Sequence, residues 1–194
     1  MTVKTKAESI FEEFCNSNKI PCEKIPEGAQ PTPDYRVVLN GQTIFVEVKQ
    51  IDEDDDSTEV GGSRIVGDHV RAKINEARKQ AKIASNQGAP AILLIYNDLD
   101  PLQMFGTEPH DFTTAMYGEI TVVLNPKENR ITDSYYGRNQ SLREDKNTSF
   151  SGIGGIYQTE RGPTVLIYEN VFAEHRLNFL SLPDCIKATR IDLA

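Results

Sequence analysis

The 194-residue sequence contains no tryptophan, only three cysteines and three histidines, and no long apolar run. The cysteines are widely spaced and odd in number, which favours neither a disulfide framework nor a zinc site, and the histidines show no ligand or triad spacing. No segment approaches the roughly 18 consecutive apolar residues of a membrane-spanning helix, and the polar N-terminus lacks the apolar core of a signal peptide. We therefore expect a cytoplasmic protein with no membrane partner.

The sequence also lacks an excess of positive charge, since its formal net charge is −8 at pH 7. Contacts with phosphate require Lys and Arg, so this balance weighs against a nucleic-acid partner. Six of the acidic residues, however, lie between positions 52 and 59, and removing their six charges from the net −8 leaves −2. A local basic face can therefore still bind nucleic acid. The acidic run itself is typical of a solvated connector, with a secondary metal or regulatory role as the alternative.

Helix and strand patterns are clear in the first half of the chain. Apolar residues at helical spacing predict a helix over about 6–18, followed by a short extended piece at 20–25. After a loop at 51–67, a regular apolar stripe predicts a second helix over about 68–87, and a buried strand follows at 91–96. A strand, a crossover helix and a second strand predict a parallel pair.

The second half is predicted less completely. A strand is predicted at 120–124, whereas 127–151 is polar, rich in turn residues and expected to be partly disordered. Segments 153–157 and 164–168 are typical of a hairpin around the Arg-Gly-Pro at 161–163. The fold class is therefore α/β, with a mixed central sheet and helices on both faces. We expect a single domain over 1–194, with a core at about 6–97 and a β-rich elaboration at about 98–194.

A β-hairpin is predicted where Asn40 and Gly41 separate two β-rich segments. This dipeptide suits a type I′ turn, which needs positive φ at both central residues. A two-residue turn pairs residues whose numbers sum to 81, and so places Asp34 directly opposite Glu47. Directly opposed side chains have Cβ atoms roughly 4.5–5.5 Å apart, where two carboxylates repel each other. A divalent cation such as Mg²⁺ prefers carboxylate oxygens and would neutralise the pair.

Lys49 joins these two acids, because residues two apart on a strand point to the same face. The strand is otherwise apolar on both faces, which predicts an interior position, and Lys and Glu are seldom buried without partners. A metal here would polarise a phosphate and lower the pKa of an attacking water. Lys49 would orient or deprotonate that water and offset developing charge. The alternative is a surface ion-pair cluster on an edge strand.

The same residues carry a family resemblance. Pro33-Asp34, then twelve residues, then Glu47-Val48-Lys49 resembles the signature of the PD-(D/E)XK nuclease superfamily, which has the restriction-endonuclease-like fold. The predicted order of helix, three strands, helix and strand is also similar to the αβββαβ core of that fold. The resemblance covers the first half of the chain.

That resemblance implies specific roles. Asp34, Glu47 and the carbonyl of Val48 would bind Mg²⁺, for which Mn²⁺ would substitute, and Lys49 would act on the water. Glu8 matches the glutamate that many members place on the first helix, which makes it a fourth candidate catalytic residue. Gln50 and Gln80 occupy places where related enzymes carry supporting polar residues.

The resemblance implies a magnesium-dependent DNA endonuclease, with DNA favoured over RNA as the partner and a homodimer left open. One alternative is a non-catalytic nucleic-acid-binding or assembly module on the same scaffold, and another is an RNase or a junction resolvase. Arg71, Arg78 and Lys82 lie on one flank of the second predicted helix, and Lys73 lies on the other, beside Lys79. They are candidate phosphate contacts, or else the polar side of an amphipathic helix.

Overall fold

A seven-stranded mixed β-sheet forms the centre of the computed structural model, which describes residues 4–26, 28, 30–52, 65–103, 105–178, 180 and 182–193. In chain order the elements are α1 (Lys6–Ser17), β1 (Cys22–Lys24), β2 (Tyr35–Leu39), β3 (Gln42–Ile51), α2 (Asp68–Asn86), β4 (Ala91–Asn97), α3 (Pro109–Tyr117), β5 (Ile120–Asn125), β6 (Arg130–Tyr136), β7 (Gly152–Thr159), β8 (Gly162–Glu169) and β9 (Ile186–Thr189).

The strand order is β1-β2-β3-β4-β7-β8-β9, and β5 and β6 form a separate antiparallel pair. Strands β3, β4 and β7 run parallel to one another, as the predicted crossover requires. Strand β2 is antiparallel to both β1 and β3, and β8 is antiparallel to β7, whereas β9 is parallel to β8. Strand β3 is therefore an interior strand, and the alternative of an ion-pair cluster on an edge strand is wrong.

The predicted hairpin register is confirmed. Asn40 has φ 47° and Gly41 has φ 82°, so both central residues of the turn adopt the left-handed conformation. Tyr35 pairs with Val46, and each following residue pairs in turn until Leu39 pairs with Gln42 beside the turn. One further step along the same register brings Asp34 level with Glu47.

Helices cover both faces of the sheet, as predicted. On one face, Val46 and Val48 of β3 share a buried apolar cluster with Phe11 and Phe14 of α1. On the other face, Phe45 and Ile51 of β3 share a cluster with α2. The buried side of α2 includes Ala77, Ala81 and Ala84, and these small side chains let the helix approach the sheet closely. Glu47 and Lys49 alternate with the valines, and therefore lie on the α2 face.

The structure corrects several predictions for the second half. Segment 127–151 contains β6, whose residues are almost all exposed, and helix α3 was not predicted. The β7–β8 turn lies at Glu160 and Arg161, because Thr159 pairs with Gly162 and Pro163 is already within β8. The acidic run at 52–59 lies almost entirely outside the described residues.

The cysteines form no disulfide among the residues that the structure describes. The three cysteines, Cys15, Cys22 and Cys185, are free thiols. In the described part of the chain, no helix is both long and apolar enough to span a membrane.

Candidate active site

Glu47 and Lys49 form an ion pair within the sheet. The Glu47 side chain comes from the middle of β3, between β2 and β4, and the residue is only 4% exposed. Lys49 Nζ lies 2.7 Å from Glu47 Oε1, and a quarter of the lysine side chain remains exposed. Both side chains come from one rigid interior strand, so their separation is set by the backbone.

Asp34 completes the predicted set from the end of the neighbouring strand. Its Oδ2 accepts a hydrogen bond of 2.8 Å from the backbone N–H of Val48. Its backbone carbonyl accepts another of 2.8 Å from Ile25, so the residue is held from both sides. The structure thus brings Asp34, Glu47, Val48 and Lys49 together, as the register predicted.

The pocket contains two carboxylates and one ammonium group, so its negative charge is only partly neutralised. Burial raises the pKa of Glu47 to about 7, and the carboxylate of Asp34 adds to the effect while Lys49 opposes it. Burial also raises the pKa of Asp34, against the Val48 N–H and Lys49. Burial lowers the pKa of Lys49, but the attraction of Glu47 and Asp34 outweighs it, so that the pKa is raised overall. Two carboxylates therefore compete for one ammonium.

One oxygen of this pocket is unsatisfied. Glu47 Oε2 is buried and has no hydrogen-bond partner among the residues that the structure describes. Buried polar atoms are nearly always paired, because an unpaired one loses its hydration without compensation. An orphaned carboxylate oxygen opposite a second carboxylate is the donor set that a hard divalent cation prefers. The residues present therefore fit the predicted metal.

The pocket opens over β2. Along this strand, the residues on the α1 face are buried, whereas Arg36 and Val38 on the opposite face are exposed. Asp34 belongs to that exposed face by alternation. Helix α2 therefore covers β3 but leaves β2 uncovered, and solvent reaches the site from this side.

Glu8 lies near the site but has other partners. Its Oε2 accepts from the backbone N–H of Thr5 at 2.7 Å, which caps α1, and its Oε1 lies 2.5 Å from Nζ of Lys24. Its charge is close enough to contribute to raising the pKa of Asp34. The geometry therefore gives Glu8 a capping and ion-pairing role, and its part in catalysis stays a prediction.

The two glutamines differ. Gln50 accepts a hydrogen bond from the backbone N–H of Ala7 at 3.1 Å and donates to Asp98, so it ties α1 to the sheet. Gln80 of α2 has a buried Oε1 without a partner in the described part of the chain.

Sequence patterns missed two charged neighbours. Lys24 pairs with Glu8 and pairs across β1–β2 with Tyr35, the residue next to Asp34. Glu76 of α2 is close enough to Lys49 to contribute to its raised pKa. The short strand β1 gave too few residues to predict its register, and the position of Glu76 depends on how α2 docks.

Arg71 differs from the other candidate phosphate contacts in its hydrogen bonds. Its guanidinium donates to the carbonyls of Val66 at 3.0 Å and Asn139 at 3.2 Å, and pairs with Asp68 at 2.5 Å. These bonds join the start of α2 to a distant loop. Arg71 therefore has a structural role, whereas Arg78 and Lys82 of the predicted trio form no such bonds with the residues that the structure describes.

A second acidic group lies at the start of α3. Glu108, His110 and Asp111 each offer one ligand atom, and these atoms lie within 4.8 Å of one another. The Asp111 carboxylate, however, accepts from the backbone N–H of Gly67 at 2.9 Å and from that of Glu108 at 3.1 Å. These oxygens cap α3 and anchor the approach to α2, which accounts for the cluster.

Comparison of the chain with protein-family models, with curated proteins and with solved structures finds no match. The case for a function therefore rests on the geometry of Asp34, Glu47 and Lys49.

Proposed function

We propose that this protein is a metal-dependent nuclease that hydrolyses phosphodiester bonds, acting as a DNA endonuclease. The observation that carries the proposal is the buried Glu47 carboxylate, whose Oε2 has no partner in the described chain, opposite Asp34 and beside Lys49. A restriction-endonuclease-like core over about residues 6–97 is part of the same proposal. The order α1-β1-β2-β3-α2-β4 supports it.

Asp34, Glu47 and the Val48 carbonyl are the residues that would hold Mg²⁺ or Mn²⁺. When bound, the ion supplies charge that stabilises the phosphate and activates water. Burial raises the pKa of both carboxylates, and the charge of Asp34 adds to the rise at Glu47. Deprotonation of both acids is therefore favoured by the ion and disfavoured without it, so that binding and charge are linked.

Lys49 holds a proton in the resting protein, because its pKa is raised by Glu47 and Asp34. A cation at Nζ stabilises the negative charge that develops on phosphate oxygens in the transition state. It also orients water by donating hydrogen bonds. A role as base would require the carboxylates to be engaged elsewhere, since only then does burial lower the lysine pKa.

The open face of β2 provides the route for substrate. A phosphodiester reaching the acids from this side would meet Asp34 and the partly exposed Lys49. Arg36 is exposed on the same face and pairs with Glu23 at 2.5 Å. The approach is therefore wide and solvated, which suits a polymer better than an enclosed small molecule.

The decisive experiment incubates the purified protein with supercoiled plasmid, linear duplex, single-stranded DNA and RNA, each with Mg²⁺, Mn²⁺ or EDTA. The wild type is run beside Glu47→Gln, which keeps the shape of the side chain and removes its charge. Glu144→Gln is the matched control, because Glu144 is exposed and distant in the chain.

We expect nicking or linearisation of the plasmid in Mg²⁺ and Mn²⁺ by the wild type and the control alone. Cleavage of RNA alone would replace the proposal with an RNase. An absence of cleavage in every combination would contradict the nuclease and leave the non-catalytic binding module.

A further inference from the structure

A polar cleft of about 470 Å³ lies between α2 and the loop at 147–149. Arg78, Lys79 and Lys82 line its α2 side and carry three positive charges, whereas Glu174 contributes one negative charge. In a chain with a net charge of −8, this is a local excess of positive charge.

The three cations have no ion-pair partner among the described residues, whereas ten other basic residues each have one. The basic residues that do form ion pairs are Lys4, Lys6, Lys24, Arg36, Lys49, Arg71, Lys73, Arg130, Arg143 and Arg190. Arg78 and Lys82 are also four residues apart on one helix, where like charges repel. An anion in the cleft would relieve this repulsion.

The opposite wall of the cleft is a loop held by a buried side chain. Asn170 is fully buried, and its Nδ2 donates to the carbonyl of Phe150 at 2.8 Å and to that of Asn147 at 3.4 Å. The carbonyl of Thr148 accepts from the backbone N–H of Glu174 at 2.8 Å. Thr148 and Ser149 therefore line the cleft from a constrained backbone.

The Glu174 carboxylate is engaged by a hydrogen bond from α2. Its Oε2 accepts a hydrogen bond of 2.8 Å from the hydroxyl of Ser85, a nearly buried residue of α2. The carboxylate thus links the two walls of the cleft instead of neutralising Arg78 or Lys82.

The cleft is separate from the acidic pocket. Glu76 is the α2 residue whose charge acts on Lys49, and Arg78 follows it by two residues. At 3.6 residues per turn, Arg78 lies about 200° around the helix from Glu76, and Lys82 lies about 120° from it. Lys79, by contrast, lies at the edge nearer to Glu76.

We propose that this cleft binds the phosphates of a nucleic-acid strand at a second contact outside the acidic pocket, an inference that takes its substrate class from the proposed function. From Arg78 to Asn86 the helix rises about 12 Å. Phosphates of one strand follow one another every 3.4 Å or so along a duplex axis, so that the cleft accommodates about three of them. Ser and Thr hydroxyls and Asn amides are the other side chains that contact phosphate oxygens, and they line the rest of the cleft.

The test measures binding without cleavage, by fluorescence anisotropy of labelled duplex and single-stranded DNA in EDTA across about 50 to 200 mM salt. The triple variant Arg78→Gln, Lys79→Gln, Lys82→Gln is compared with a matched control. That control is Lys127→Gln, Arg161→Gln, Lys187→Gln, which removes three positive charges from exposed positions elsewhere. Circular dichroism verifies that both variants remain folded.

We expect the cleft variant to bind about tenfold more weakly or worse at low salt, with a salt slope reduced by about 2 to 3, since each lost phosphate contact removes about 0.9 on duplex DNA. The control should lose much less. Equal losses in both variants, or none in either, would overturn the inference.

Inorganic phosphate tests a smaller ligand. If millimolar phosphate stabilises the wild type but not the cleft variant, and no strand binds, the cleft takes a free phosphate and the strand proposal is wrong. Failure of the proposed function is distinguishable, because a wild type that binds strands through the cleft but cleaves none contradicts only the nuclease.

Discussion

The two flanks of α2 border charged groups of opposite kinds. On one flank, Glu47 and Asp34 share a buried pocket with Lys49, and burial has raised the pKa of both acids. On the other, Arg78 and Lys82 are exposed cations without ion-pair partners in the described chain. The helix thus separates an acidic pocket from a basic cleft.

This difference shows what burial contributes. A buried carboxylate is held in one geometry, and its lost hydration raises the free energy of the charged form until a ligand compensates the loss. It can therefore select a cation by position and charge. An exposed lysine or arginine keeps its hydration and attracts any phosphate nearby, with little dependence on sequence. The pocket is therefore suited to chemistry and the cleft to binding.

The largest expected effect is a loss of cleavage when an acid of the pocket is replaced, with strand binding by the cleft retained. Asp34→Asn should lower cleavage by about a thousandfold or more, because it removes one of the two acids for the metal. Strand affinity in EDTA should change little. Folding should be unaffected, since the amide oxygen can still accept from the Val48 N–H. Initial cleavage rates and anisotropy measure the two effects, and a variant with unchanged cleavage would remove Asp34 from the mechanism.

Lys49→Ala should lower turnover by a factor on the order of 100 to 1,000, the range lost with one transition-state donor. Affinity measured in Ca²⁺ should hardly change, because the ammonium acts on the transition state more than on binding. Lys49→Arg should not restore the rate, since a planar guanidinium is larger and hydrogen-bonds differently. The opposite pattern, unchanged turnover with weakened binding, would assign Lys49 to binding like the cations of the cleft.

Stability should depend on pH through Glu47. Because the folded pKa of about 7 lies above the ordinary glutamate pKa of 4.5, protonation favours the folded state. In EDTA the resulting stabilisation is fully present below about pH 4.5 and is lost as the pH rises through about 7, with a magnitude on the order of 3 kcal/mol. Urea unfolding at several pH values measures it. Glu47→Gln should lack this component, and identical pH profiles for both proteins would contradict the buried charge.

Metal should stabilise the wild type by a smaller amount. At ten times its dissociation constant, an ion that binds only the folded state contributes about 1.4 kcal/mol. This corresponds to a rise in Tm of about 3–6 °C for a domain of this size. Asp34→Asn should not respond, whereas the triple cleft variant should respond like the wild type. Equal responses in the wild type and Asp34→Asn would place the ion elsewhere.

Local signals predicted the first half of the fold well. Asn40 and Gly41 determine both the turn and the register, because the turn type demands positive φ at two adjacent residues. The apolar stripe of α2 predicted its length to within a residue, since one side must face the sheet. In the second half, β6 has no buried face and therefore no alternation that a pattern could detect. Helix α3 did carry a signal, Pro109 at its start between the capping residues Glu108 and Asp111, which was missed.

The sequence by itself determined that Asp34, Glu47 and Lys49 share one face of a hairpin, because turn length and strand alternation are local properties. Only the tertiary structure decided that this face is buried, since burial depends on α2 and on pairing of β4 with β7, residues about sixty positions apart. It also decided that Arg71 is bonded to Val66 and Asn139 while Arg78 stays exposed. The sequence specifies which residues can carry charge. Their hydration and their partners come from packing between distant segments. Hydration and partners set the pKa of a group and its availability to a ligand.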